Sequence, residues 1–173
     1  MLSLPIHAKT TFVLVRPHYP ENVGAAARAI KTMGFTRMVL VKPGRMATPE
    51  HVMARKMAVK SLDVLAGARQ VATLAEAVAG VDWVLGTTSR RGVSGVLVPR
   101  VAAARAIALA DEGRTTAIVF GNEKTGLAEH DLALCESMLR VPMAADQPSI
   151  NLAQAAQLVA WEWFEAALLR KER

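Results

Sequence analysis

Short, wholly apolar runs alternate with stretches of helical periodicity along this chain, and that alternation limits its fold more than any other feature. Thr11-Phe12-Val13-Leu14-Val15, residues 38–41, a short piece near Val71, Trp83-Val84-Leu85, Ala117-Ile118-Val119-Phe120 and residues 138–141 read as strands. A run that is apolar at every position, rather than at alternate ones, suits a strand covered on both faces. Helices are expected between them. One spans residues 22–33, capped by Asn22 and stopped at Gly34; others cover about 49–59, 74–78 and 99–110, and a long one begins near Ser149. In the first, Val23, Ala26, Ala27 and Ile30 share one face, while Arg28 and Lys31 point elsewhere. Loops are expected at residues 17–20 and from Gly86 to Gly95. The alternation predicts an α/β fold with a mostly parallel sheet and helices on both faces. No Ser/Gly-rich linker, composition break or internal repeat divides residues 1–173, which read as a single domain.

Composition narrows the function classes. The single cysteine, Cys135, allows no intrachain disulfide, and the four scattered histidines have no metal-ligand spacing. The sequence therefore predicts a metal-free site in a reducing compartment. The first residues lack the charged start and long apolar centre of a signal peptide, and no run of about eighteen apolar residues offers a membrane span. A cytoplasmic protein without a membrane partner is expected. A formal charge of +6 is compatible with nucleic acid. Only 5% of residues are aromatic, so extensive base stacking is not the expected mode of binding.

The last helix bears on assembly. Leu152, Ala156, Val159 and Trp163 form one apolar stripe, but Leu158, Trp161, Leu168 and Leu169 lie off it. A helix apolar around most of its girth is buried on more than one side, either by a partner subunit or wholly within its own chain.

The usual nucleotide and hydrolase signatures are missing: there is no G-x-G-x-x-G, P-loop, G-x-S-x-G or H-E-x-x-H. Three other segments stand at or just after strand ends, the edge where ligands bind in open α/β sheets. Asn22-Val23-Gly24-Ala25-Ala26-Ala27-Arg28 opens a helix whose free amides can face an anion; alone, it reads rather as an ordinary N-cap and a solvated arginine. In Phe120-Gly121-Asn122-Glu123-Lys124-Thr125-Gly126-Leu127, two glycines bracket a polar loop, which is either a plain turn or a device holding Glu123 near the strand end. The third runs from Val141 through Pro148-Ser149-Ile150-Asn151-Leu152, with Ser149 as a natural cap and Asn151 in the first turn.

In this order, the three segments resemble the three motifs of the SpoU-type branch of the SPOUT RNA methyltransferases. Asn22 and Arg28 match the first; Phe120-Gly121, Glu123 and Gly126-Leu127 match the second; Ser149-Ile150-Asn151-Leu152-Ala153 matches the third. The likeness runs from about Phe12 to Phe164 and is greatest to the TrmJ subfamily, which methylates cytidine or uridine ribose in the tRNA anticodon loop. Residues 22–34 and Gly86-Thr87-Thr88-Ser89-Arg90 support that subfamily; Asn122 departs from it, since a basic residue often stands there, and TrmJ proteins commonly extend beyond the catalytic domain.

The resemblance implies a C-terminal trefoil knot, a homodimer with composite active sites, and S-adenosyl-L-methionine as cofactor. It places the cofactor among Thr87, Thr88, Ser89, Gly121, Val141, Pro148, Ser149, Ile150 and Leu152, largely through backbone atoms. Arg28 would be catalytic, with Asn22, Glu123, Ser149 and Asn151 ordering it or the substrate. RNA, with tRNA foremost, is the implied partner, and Arg16, Arg28, Arg90 and Arg91 are the cations expected to hold its phosphates. Ribosomal RNA, another tRNA ribose, or a non-catalytic RNA-binding role on the same fold stay open at this point.

Overall fold

The protein is described by a computed structural model covering residues 2–171; Met1 and residues 172–173, the outer ends of the expected domain, lie outside the described residues. Six strands form one sheet: β1 (Thr10–Val15), β2 (Met38–Val41), β3 (Arg69–Val71), β4 (Trp83–Thr87), β5 (Thr116–Phe120) and β6 (Ser137–Leu139). Their order is β3-β2-β1-β5-β4-β6, and every pairing is parallel. At the centre, Val13 of β1 lies opposite Val39 on one side and Val119 on the other.

Each central strand is buried on both faces, as its unbroken apolar run predicts. Phe12 and Leu14 point into a core shared with α2 (Pro20–Thr32), α6 (Pro99–Asp111) and α8 (Leu152–Lys171). Val13 and Val15 point into the opposite core, against Leu74 and Ala77 of α5 (Leu74–Val78). Complete burial of each such aliphatic side chain contributes roughly 1.5–3 kcal/mol. Three short helices complete the layers: α3 (Val52–Ala58), α4 (Leu62–Ala66) and α7 (Glu129–Leu132). A fourth, α1 (Pro5–Lys9), precedes β1. Among the described residues no helix is long and apolar enough to cross a membrane.

Several boundaries differ from expectation. The first long helix starts at Pro20, not Asn22, because Pro20 occupies its first turn and Tyr19 caps it. Asn22 is thus a buried residue inside the helix rather than its N-cap. The last helix begins at Leu152 and is capped by Asn151, whose Oδ1 accepts from Ala153 N at 2.9 Å and Gln154 N at 3.3 Å. Ser149 lies outside it, so its expected capping role passes to Asn151. Gly86, expected in a loop, pairs within β4. Helices α1 and α4 are too short for periodicity to reveal. The reading of α8 as wholly buried within its own chain does not hold: Leu158, Trp161 and Leu169 are 42%, 44% and 54% exposed.

His7 on α1 sits in the apolar layer between Phe35 and Phe164. Its Nδ1 accepts from Leu4 N at 3.2 Å, while Nε2 has no partner. Burial pushes its pKa below the ordinary 6.5, and the Met33 backbone offsets only part of that. The unfolded chain therefore takes up a proton first. Stability is fully present above pH 6.5 and declines as pH falls through the lowered folded value. Urea titrations from about pH 7 to pH 4 should show this slope, and His7→Leu should flatten it.

Candidate active site

Beyond the carboxyl ends of β1, β5, β4 and β6 lies one cleft of about 860 Å³. Topology explains its position. The chain runs outward from β1 through β2 to β3, then crosses back to β4 beyond β5. The loops leaving β1 and β5 diverge at that reversal, and a crevice opens between them.

The loop after β5 is held tightly. Asn122 N donates to Gly126 O at 3.2 Å, and Gly126 N donates back to Asn122 O at 2.8 Å. Oδ1 of Asn122 accepts from Lys124 N at 2.9 Å and Thr125 N at 3.2 Å, closing the turn from inside. Its Nδ2 donates to Arg16 O at 2.6 Å, tying the loop to the end of β1. Gly126 has φ +69°, and a Cβ on Gly121 would come within 2.3 Å of Gly126 C, so both glycines are required.

This loop presents Glu123 to the first segment. The carboxylate accepts from His18 N at 2.9 Å, Tyr19 N at 3.3 Å and Asn22 Nδ2 at 2.9 Å. Asn22 Oδ1 in turn accepts from Asn151 Nδ2 at 2.9 Å. Because Asn151 Oδ1 receives the first amides of α8, each amide in the relay has one consistent orientation. Asn22, 101 residues before Glu123 and 129 before Asn151, is thus joined with both in one hydrogen-bonded unit linking all three segments.

The expected cofactor residues gather here. Thr87, Thr88, Ser89, Gly121, Val141 and the 148–152 segment all line the cleft. Thr87 Oγ1 donates to Val119 O at 3.0 Å, and Thr88 N donates to Leu139 O at 2.9 Å, so the loop after β4 is anchored on both neighbours. Between residues 141 and 152, Gln147 is the sole backbone donor to the described chain. Of the loop residues that line the cleft, Met143, Ser149, Ile150 and Asn151 carry backbone N–H groups with no partner among the described residues. The free backbone groups, with Leu127, Leu139, Ile150 and Leu152 beside them, fit an adenosine-bearing sulfonium: polar atoms for base edges and apolar surface for its faces. Cys135 is also in the wall; burial, then the charges of Asp131 and Glu136, push its thiol up to about 11, which keeps it protonated at neutral pH.

The four expected RNA-holding arginines have different settings. Arg28 is exposed on α2, makes no side-chain hydrogen bond or ion pair among the described residues, and does not line the cleft of its own chain. Arg16 instead forms an ion pair with Asp131, whose side chain is 2% exposed, and so braces α7 against the end of β1. Arg90 lines the cleft. Arg91 meets Asp146 at 2.6 Å on open surface, a pair that contributes little to stability. Sequence reasoning missed the buried Asp131 and the turn-closing role of Asn122. The signal for Asn122 is its type, a side-chain acceptor flanked by glycines at a strand end.

A family model for the SpoU rRNA Methylase family matches residues 9–161. The chain belongs to this family. Among curated relatives, the tRNA (cytidine/uridine-2'-O-)-methyltransferase TrmJ of Photorhabdus laumondii is 37% identical over 93% of this chain and 66% of its own length. The tRNA (cytidine/uridine/adenosine-2'-O-)-methyltransferase TrmJ of Pseudomonas aeruginosa is 38% identical over 87% of this chain and 58% of its own. The chain thus spans somewhat less than two thirds of either. The solved structure of TrmJ from Z. mobilis superimposes with a TM-score of 0.80 at 35% identity, covering 91% of this SpoU methylase chain and 69% of that one.

Proposed function

We propose that this SpoU methylase domain transfers a methyl group from S-adenosyl-L-methionine to a ribose 2′-hydroxyl of tRNA, in the anticodon loop. The observation that carries the reading is the Glu123–Asn22–Asn151 relay at the rim of a cleft lined by free backbone groups. The tRNA ribose specificity of the TrmJ relatives supports the substrate.

The bound cofactor supplies an electrophilic methyl on a sulfonium. With the donor bound, the ribose 2′-oxygen would displace it in line, exchanging the C–S bond for an O–C bond, with the sulfur leaving as a neutral thioether and the hydroxyl proton passing to water. Such a displacement needs neither a metal nor a covalent enzyme intermediate, and positioning supplies much of its rate. Backbone groups of residues 141–152, with Thr87, Thr88, Ser89 and Gly121, orient the donor. Glu123, through His18 and Tyr19 N–H, fixes the turn against which the ribose is seated, and Ser149 faces the same cleft. Its planar fork of donors suits Arg28 to gripping the adjacent phosphate and polarising the hydroxyl rather than to acting as a base.

Arg28 lies outside its own cleft, while Leu158, Trp161 and Leu169 leave α8 apolar and uncovered. Both facts support a homodimer in which a second copy supplies Arg28; a tRNA substrate puts that dimer in the cytoplasm. The trefoil knot belongs to the same reading. Its support is membership of the SpoU family.

Glu123→Gln puts an amide donor among three donors that now share its oxygens. It should lower kcat roughly 10- to 100-fold through misplaced substrate while leaving cofactor affinity nearly unchanged, a split that steady-state kinetics and calorimetry would read. The function itself is tested with labelled S-adenosyl-L-methionine and, separately, unmodified tRNA and ribosomal RNA. Label in tRNA is expected. Label in ribosomal RNA alone, the substrate in the family's description, would replace the substrate; cofactor binding without transfer to either would leave an RNA-binding module.

A further inference from the structure

We infer that the surface from the cleft mouth across residues 42–45 and along α3 is a track for the RNA phosphate backbone on one side of the target nucleotide. The inference rests on the RNA reading of the cleft. Residues 42–60 hold five of the chain's lysines and arginines but only one acidic residue, Glu50. None of the side chains of Lys42, Arg45, Arg55, Lys56 and Lys60 has a hydrogen bond or ion pair among the described residues. Elsewhere six cations, Arg16, Lys31, Arg91, Arg100, Arg114 and Arg170, each meet a carboxylate, whereas none of these five does.

Position joins this free charge to the site. At the mouth, Lys124 Nζ lies 3.2 Å from His18 Nε2 and 5.6 Å above the Tyr19 ring. Gly44 N donates to Pro17 O at 2.9 Å, and a Cβ there would stand 3.2 Å from that oxygen, so the 42–45 loop is pressed against the segment carrying His18. From it the chain enters α3, which meets α2 where Ala54 O faces Gly24, two residues after Asn22. The free cations therefore begin beside the relay and lead away along one side. Exposed Met46 and Val52 lie among them and offer apolar surface to riboses or bases. An unpaired row of cations leading from a cleft that takes a ribose suits a polyanion, since each neutralised phosphate releases counterions.

The test compares tRNA binding across 50–200 mM salt by wild type, Arg45→Gln/Arg55→Gln, and Lys9→Gln/Arg37→Gln. The last pair removes equal charge at the opposite, amino edge of the sheet. The track variant should lose roughly 1.4–1.8 from the slope of log affinity against log salt and bind about tenfold more weakly, with cofactor affinity unchanged; the control should match wild type. An unchanged slope in the track variant would overturn the track and leave this face to a protein partner. An equal loss in the control would reduce it to bulk charge. Failure of wild type to bind tRNA while still binding the cofactor would remove the RNA reading itself, and the track with it.

Discussion

Arg28→Ala is expected to lower the rate of methyl transfer by about two to three orders of magnitude, the cost of removing one preorganised donor from a transition state. Cofactor affinity should hardly change, because the role assigned to Arg28 is to grip the RNA phosphate and ribose hydroxyl rather than the methyl donor. Single-turnover transfer and calorimetry would read these separately. Lysine should not rescue the rate, since an ammonium cannot present two parallel donors to a phosphate. Mixing subunits identifies the source of the arginine. A dimer of one Arg28→Ala subunit and one subunit whose cleft is blocked by Ile150→Trp should regain one working site if Arg28 acts across the interface. If each subunit uses its own arginine, no site survives.

Gly24→Ala should be the most damaging small substitution for stability. A Cβ at that position would stand 1.9 Å from Ala54 O and 2.7 Å from Ala54 C, both backbone atoms that no rotamer change can clear. The α2–α3 contact must open. Overpacking of this kind costs typically 1–3 kcal/mol and here falls at or above the upper end, about 3 kcal/mol. For a domain of this size that lowers Tm by roughly 6–12 °C, readable by thermal circular dichroism. Activity should fall with it, because Asn22 begins the relay two residues away.

Much of this architecture was legible because the physics is local or periodic. Strands buried on both faces must be apolar throughout, so β1, β2 and β5 announced themselves. Helix α5 has the bounds that its sequence predicts, Leu74–Val78. The carboxyl-edge position of the cleft follows from the parallel sheet, and Asn22, Glu123 and Asn151 stand out in the sequence as polar residues at strand ends. What sequence could not disclose was their mutual contact. Asn22 looked like an N-cap because capping is what a lone asparagine before an apolar helix usually does; only the approach of Glu123 and Asn151 makes it a relay. Ser149 and Asn151 were both plausible caps, and backbone geometry chose the second. Arg16 read as a free cation because its partner, Asp131, lies 115 residues away. The free charge on residues 42–60 was equally hidden, since an unpaired lysine and a paired one look alike in sequence.

The central claim is the chemical position of the methyl group, and mapping it is the most direct test. Unmodified tRNA labelled from S-adenosyl-L-methionine would be digested and the labelled fragment sequenced. The account predicts label in a single alkali- and nuclease-resistant linkage within the anticodon loop, the mark of a 2′-O-methyl ribose, and its loss with Arg28→Ala. Label that travels with a free base, or a linkage that alkali cleaves normally, would contradict the account.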